Sequence, residues 1–261
     1  MGLILCTKKA EHPFYYETLD KNLWSMQELC YVLLHYPVLL PESIVDEKLC
    51  QWLQEELGFS YLAEKLKSYI GQEEKRNLAL LRILREGNYC AEWELREYEQ
   101  RLAAIRVLSP AEFSEKQGDA YLSLKRYRKA AEAYQKAESE EHSPTRKRKL
   151  ADSYVALTRF HQAGEIYEEL YQSEKMNEAL KRLYFLGRLE PSENRGRRYA
   201  KDFREAGKEA WDRQYAAARK NAENTEKIKR LRALYEKDPK DFCRLAGEEI
   251  GRWKAEYRSR N

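Results

Sequence analysis

An internal repeat of 33 residues constrains the fold of this chain more than any other feature of its sequence. The segment QGDAYLSLKRYRKAAEAYQKA, which starts at Gln117, aligns with LADSYVALTRFHQAGEIYEEL, which starts at Leu150. Small residues align with small residues, aromatic rings with aromatic rings, and Leu124 with Leu157. Such periods are typical of stacked units that cannot bury their apolar face alone, so this part of the chain should form an array.

Helix signals run through the rest of the sequence. Ser25 and Glu28 form a capping box, and Ser109 and Glu112 form another in which Pro110 occupies the first helical position. Apolar residues recur at spacings of three and four, and no alternating run is long enough for a sheet. These patterns predict an all-α protein.

The repeat resembles the tetratricopeptide repeat (TPR), a helix-turn-helix unit of about 34 residues. In that family a small residue is followed by an aromatic three positions later, an alanine nine further on and an aromatic four beyond that. Both copies keep this pattern, at Gly118, Tyr121, Ala130, Tyr134, Ala151, Tyr154, Ala163 and Tyr167. The resemblance covers about residues 110–173 and implies antiparallel helix pairs stacked as a right-handed superhelix.

The repeat pattern weakens outside those two copies and suggests three regions. Continuing the phase places Gly196 at a small position, but Ala200 at an aromatic one and Tyr184 at a small one. We therefore expect an N-terminal helical bundle at 1–108, two TPR-like units with a degenerate third beginning at 109–190, and a basic helical region at 191–261 packed on the array. Residues 6–34 resemble the start of uncharacterised helical proteins from Clostridia-type bacteria, which implies a bacterial origin but suggests no particular activity.

Cysteine spacing and hydropathy predict a cytoplasmic protein. The five cysteines are scattered without metal-ligand spacing, which favours reduced, mostly buried thiols. No apolar run reaches the roughly 18–20 residues that a membrane span needs. The opening MGLILC lacks a basic segment before it and the Ser/Thr of a myristoylation signal, so we interpret it as a short buried segment.

No motif in the sequence indicates catalysis. HExxH, Walker, GxSxG and GxGxxG patterns are absent, and the four histidines are typical of surface or helix-end positions. We therefore expect no enzyme activity, no catalytic residue, no metal and no cofactor. An enzyme would need a deep cleft with converging polar groups between the bundle and the array.

The TPR resemblance implies a groove lined by the first helix of each unit. The expected groove residues are Glu112, Glu115, Asp119 and Leu122 in the first unit and Arg148, Asp152 and Val155 in the second. Chaperone-binding TPR proteins hold an acidic C-terminus with a Lys/Asn clamp, whereas Glu115 and Asp119 occupy the corresponding places here. Because carboxylates repel at close range, we expect a partner that is basic or mixed with apolar anchors. The alternative is that these charges only solvate the groove wall.

These observations favour a protein-protein interaction scaffold or adaptor. Residues 195–261 hold 20 Lys/Arg against 12 Asp/Glu, so the alternative is a helical protein that binds RNA or an acidic partner. That alternative would use the residues Arg195, Arg197, Arg198, Lys227, Lys229 and Arg230. Interspersed glutamates at helical spacing favour ion-paired, solvated helices instead. The oligomeric state and the partner do not follow from the sequence.

Overall fold

The computed structural model describes residues 8–237, 239 and 241–260, without the side chains of residues 259 and 260. Within these residues lie fifteen α-helices and one two-stranded sheet. The chain divides into two compact units, Met1–Ala120 and Tyr121–Asn261. The all-α fold class is as predicted, whereas the three-region division stays a prediction. The proposed buried segment at 1–6 lies outside the described residues.

The first unit holds a short hairpin and a set of short helices. Its helices are α1 (Met26–His35), α2 (Glu47–Glu55), α3 (Ser60–Lys67), α4 (Arg76–Glu86) and α5 (Glu92–Arg106), and α6 (Pro110–Ser123) crosses into the second unit. The strands β1 (Phe14–Tyr16) and β2 (Lys21–Leu23) pair antiparallel, with Phe14 opposite Leu23. The sequence analysis missed this hairpin because three residues are too few to show an alternating pattern.

Of the two capping boxes seen in the sequence, the one at Ser109 forms in full and the one at Ser25 forms in part, because the Glu28 carboxylate accepts a hydrogen bond from the Trp24 amide instead of from the Ser25 amide. The Ser25 hydroxyl accepts a hydrogen bond from the Glu28 amide at 3.2 Å. At the start of α6 the Ser109 hydroxyl accepts from the Glu112 amide at 3.2 Å, and the Glu112 carboxylate accepts from the Ser109 amide at 2.8 Å. These bonds satisfy amides that have no partner within the helix, and therefore fix where α1 and α6 begin.

The second unit is a succession of helices that pack on their neighbours along the chain. They are α7 (Tyr127–Glu140), α8 (Pro144–Ala156), α9 (Phe160–Glu174), α10 (Asn177–Leu189), α11 (Arg195–Arg198), α12 (Ala200–Glu205), α13 (Lys208–Glu223), α14 (Glu226–Lys237) and α15 (Phe242–Arg260). The closest packing joins α7 to α8, α8 to α9 and α9 to α10. The helix pairs are therefore stacked.

The 33-residue repeat reappears in the backbone of the two inter-helix turns. Lys125 and Thr158 both have left-handed conformations, with φ of 57° and 58°. The Arg126 amide donates to the Tyr121 carbonyl at 2.9 Å, and the Arg159 amide donates to the Tyr154 carbonyl at 2.8 Å. The left-handed residue and this hydrogen bond of the first turn are thus repeated 33 residues later.

The signature residues occupy the positions that a stacked array needs. The four small residues, Gly118, Ala130, Ala151 and Ala163, are buried. Tyr134 and Tyr167 are also buried, whereas Tyr121 and Tyr154 are half-buried and pack on the cores beside them. Small side chains let helices approach closely, and the rings fill the space between successive pairs.

The third copy departs from the first two after α10. A single 3₁₀ turn at Pro191–Glu193 and a left-handed Asn194 interrupt the chain, and two short helices replace one long helix. The backbones of α10 and α11 meet at two glycines, since a Cβ on Gly187 would lie 3.2 Å from the Gly196 nitrogen. The aromatic pattern fails here because no continuous second helix exists to carry it.

Candidate functional site

A cleft of about 270 Å³ opens between α8 and α10 in the second unit. Its lining comes from Asp152, Val155, Tyr167, Arg182, Phe185, Leu186 and Leu189. The residues of α8 in this set are three apart, and those of α10 recur at three and four, so each helix presents one face. Tyr167 reaches the cleft from α9.

A network of charged and polar groups centred on Asp152 lies at the base of the cleft. The Asp152 carboxylate lies 2.7 Å from Arg148 Nη1 and 3.1 Å from Arg182 Nε, and it accepts a hydrogen bond from the Tyr167 hydroxyl at 2.6 Å. Burial, with the neighbouring Asp152 carboxylate, raises the pKa of Tyr167 well above its ordinary range. Hydrogen bonds from Arg148 and Tyr167 hold the carboxylate in place, whereas Arg182 contacts it as an ion pair only.

The rest of the cleft is apolar and partly open to solvent. Val155 and Phe185 are half-buried, and the Leu189 side chain is 53% exposed. Arg182 also approaches Glu178, at 3.6 Å, so two carboxylates balance the two arginines beside the cleft. The cleft therefore places an apolar surface beside a polar network in which the positive and negative charges balance.

The predicted groove residues fall into two groups. Arg148, Asp152 and Val155 share the face of α8 at the cleft, and Asp152 and Val155 line it. In the other group Glu112 takes part in the α6 capping box, and Leu122 packs on the core around Ala130. Glu115 and Asp119 are half-exposed on α6. The groove role of all seven residues stays a prediction.

The sequence analysis missed the α10 side of the cleft. Arg182, Phe185 and Leu189 recur at three and four residues, which marks one helix face. Their spacing was visible in the sequence, but the 33-residue phase breaks down in this copy. No repeat signature therefore pointed to them.

Arg195 does not contribute to the basic surface that the sequence analysis proposed. Its side chain is only 3% exposed overall, with Nε 3.4 Å from Glu168 and Nη1 3.5 Å from Glu193. The guanidinium occupies the space that a side chain at Gly164 would need. Arg198 is exposed but also pairs with Glu168, at 2.8 Å, whereas Arg197 is exposed on the same short helix.

The other predicted cations lie on α14, beside a cavity of about 610 Å³ between α14 and α15. Each has a carboxylate close by: Lys227 to Glu256 at 2.7 Å, Lys229 to Glu226 at 3.2 Å and Arg230 to Glu249 at 3.6 Å. Such pairs lower the positive potential that phosphate binding requires. Binding of RNA or an acidic partner here stays a prediction.

The part of the chain that the structure describes contains no group of three or more His, Cys, Asp or Glu residues placed to hold a metal ion. The four described cysteines, Cys30, Cys50, Cys90 and Cys243, are free, and burial raises the pKa of the Cys30 thiol to about 12. None of the described helices combines the length and apolar character that crossing a membrane requires.

Comparison with known proteins supports the helical repeat. The family model described as "Soluble NSF attachment protein, SNAP" matches residues 90–186, a range that holds α5–α9 and most of α10. No curated protein and no solved structure matches the chain. The chain thus contains a SNAP-like helical-repeat domain, a kind of fold that serves as a protein-interaction scaffold. Assignment to the TPR family stays a prediction.

Proposed function

We propose that this protein is a non-enzymatic scaffold that binds a segment of another protein in the cleft between α8 and α10. The observation that carries the proposal is the partly exposed apolar surface of Val155, Phe185 and Leu189 beside the polar network around Asp152. Exposed apolar surface bordered by polar groups is typical of binding sites. The name of the matching family, which describes attachment to another protein, agrees with this role.

The chemistry of the cleft favours a partner segment of mixed character. An apolar side chain of the partner would bury the exposed part of Leu189 and pack on Phe185. Strong selection for one charge is not expected, because Asp152 already neutralises part of the charge of Arg148 and Arg182. Of the partners expected from the sequence, the mixed apolar one therefore fits better than the purely basic one. We place this interaction in the cytoplasm.

The proposal can be tested by selecting peptides from a random display library on the immobilised full chain. Selected peptides should share an apolar residue, and Leu189→Asp should weaken their binding by about tenfold or more because it places a charge on the apolar surface. Tyr235→Asp is the matched control, since Tyr235 is 56% exposed on α14 and lies outside the cleft lining.

Two outcomes would contradict the proposal. One is equal binding of the selected peptides to the wild type and to the Leu189 variant. The other is enrichment of peptides with acidic tails whose binding depends on Arg197 or Arg198, which would favour the basic C-terminal region instead.

A further inference from the structure

A second cavity, of about 480 Å³, lies among α10, α11, α12 and the start of α13. It is separate from the cleft, although α10 contributes to both. Tyr184 and Arg188 line this cavity, whereas Arg182 and Leu189 line the cleft. The two sets lie on different faces of α10, since residues one and two apart in a helix point in different directions.

Among the residues that the structure describes, three cations and no carboxylate line this cavity. The cations are Arg188 from α10, Arg204 from α12 and Lys208 from α13. Beside the lining, the Asp212 carboxylate lies 2.6 Å from Arg188 Nη2 and 2.9 Å from Lys208 Nζ. Arg204 makes no ion pair with any residue that the structure describes. One carboxylate therefore offsets one of three positive charges, which leaves a local surplus of two.

The aspartate also orients the cations. Its Oδ1 accepts hydrogen bonds from the Tyr184 hydroxyl and from Arg188, and its Oδ2 accepts from Lys208. Hydrogen bonds from Tyr184 and Lys208 lower the pKa of Asp212 to about 2, so it is charged at neutral pH. Arg188 and Lys208 are thus held at the cavity, with side chains about two-fifths exposed and accessible to a ligand.

The remaining walls are aromatic rings and bare backbone. Tyr184 and Phe203 lie with their rings 5.4 Å apart, nearly perpendicular. Gly187 and Gly196 also line the cavity, and a Cβ on Gly196 would meet nothing within 4 Å. Tyr184 and Phe203 are only 4% and 2% exposed, so a flat or apolar group would pack mainly on Ala200 and the glycine backbone, with the small exposed part of the two rings beside it.

We propose that this cavity binds a phosphate monoester that carries an aromatic or apolar body. A phosphate monoester has a charge near −2 at pH 7, which matches the surplus of two, whereas a carboxylate would leave one cation unmatched. Guanidinium groups bind phosphate oxygens in a bidentate manner, and the volume falls in the range of small-ligand sites. The site is additional to the proposed cleft and does not depend on it.

Calorimetric titration of the full chain with phenyl phosphate tests this proposal. Phenyl phosphate should bind more tightly than inorganic phosphate, which lacks the ring, and than benzoate, which lacks the second charge. Its affinity should fall as the pH drops from 7.5 to 5, because the second phosphate pKa is about 6. Benzoate should show no such fall, because it has no second ionisation in this range.

Arg204→Gln is the most informative variant because its side chain makes no ion pair that the substitution would break. It should weaken phenyl phosphate binding by about tenfold or more, the loss expected for one charge-assisted hydrogen bond. Arg213→Gln, on an exposed position of α13 outside the lining, should leave binding unchanged. Unchanged thermal melting would show that both variants fold.

Two results would overturn the proposal: benzoate binding as tightly as phenyl phosphate, or no loss of affinity in Arg204→Gln. If the proposal holds, adenosine monophosphate and a phosphoserine peptide identify the source of the phosphate. Tighter binding of the nucleotide indicates a small molecule, and tighter binding of the peptide indicates a modified side chain of a protein.

Discussion

The second and third copies of the repeat begin alike and end differently. Their first helices, α8 and α10, are both 13 residues long and start 33 residues apart. In the second copy a three-residue turn leads directly into the 15-residue α9. In the third, Pro191 and Asn194 interrupt the chain and only α11 and α12 follow. A repeat of this kind therefore persists only where the turn and the second helix are both intact.

The third copy compensates for the missing helix by adding an aromatic cluster to a core that α8 and α9 also share. Tyr184, Tyr199, Phe203 and Trp211 form an aromatic cluster in which the Tyr184 ring lies 5.4 Å from Phe203 and 5.5 Å from Trp211. Trp211 comes from α13, which has no counterpart in the repeat. The same break leaves the cavity between α10 and α12 open, so the third copy offers a cavity that the second copy lacks.

Replacing Trp211 should have the largest effect on the free energy of unfolding. It should also show whether the second and third copies of the repeat open separately. Trp211→Ala should lower the free energy of unfolding by about 3–5 kcal/mol, because Trp211 is 8% exposed and its loss leaves a cavity. Urea denaturation measures this loss. Hydrogen exchange should show faster opening of α10 and α12 than of α8 and α9.

The control for this prediction is Trp93→Ala, which removes a 63% exposed ring on α5 and should change stability by no more than about 0.5 kcal/mol. Equal acceleration of exchange in α8, α9, α10 and α12 would contradict the prediction, because the second and third copies of the repeat would then unfold together.

Two glycines provide the next test, since one is crowded and the other is open. Gly164→Ala should cost about 1–3 kcal/mol, because the new methyl group must displace the buried Arg195 from Glu168. Gly196→Ala should be neutral or stabilise by up to about 1 kcal/mol, because its position is open and alanine favours helix. Thermal melting distinguishes the pair, and equal shifts would mean that Arg195 moves aside freely.

The two equivalent turns should respond equally to glycine. Lys125→Gly and Thr158→Gly should each stabilise by up to about 1 kcal/mol, since glycine tolerates the left-handed conformation that these residues adopt. Gln135→Gly, at an exposed position inside α7, should instead cost about 1 kcal/mol. Responses of opposite sign in the two turns, measured by urea denaturation, would show that the turns are not equivalent.

The smallest expected effect is a pH dependence specific to the third copy. The Asp212 pKa is lowered from 3.8 to about 2 by hydrogen bonds from Tyr184 and Lys208. A lowered carboxyl pKa stabilises the fold above the unfolded pKa, and this contribution is lost as the pH falls from about 4 towards 2. Asp212→Asn should remove that part of the acid sensitivity. An NMR titration that places the Asp212 pKa at or above 3.8 would contradict this.

Some features of this structure can be predicted from the sequence and others cannot, and the reasons are physical. The caps at Ser25 and Ser109 depend on neighbouring residues, so local patterns predict them. The burial of Arg195 depends on Gly164, Glu168 and Glu193 from separate elements, and no local pattern shows it.

The candidate site was predictable on one side only. Arg148, Asp152 and Val155 follow from the repeat, because its phase places them on one face of α8. Arg182 and Leu189 carry the same helical spacing, but the third copy is out of phase and gives no reason to select them. The cavity around Arg204 results from the interruption after α10, which the repeat could not anticipate.

Photo-crosslinking is the most direct test of the claim that a partner segment binds between α8 and α10. A benzophenone amino acid would replace Phe185 in the cleft and, in a separate protein, Tyr235 on α14. Peptides selected on the full chain should crosslink at position 185, and excess unlabelled peptide should suppress the product. Crosslinking at position 235 with none at position 185 would contradict the account, because the partner would then bind elsewhere on the chain.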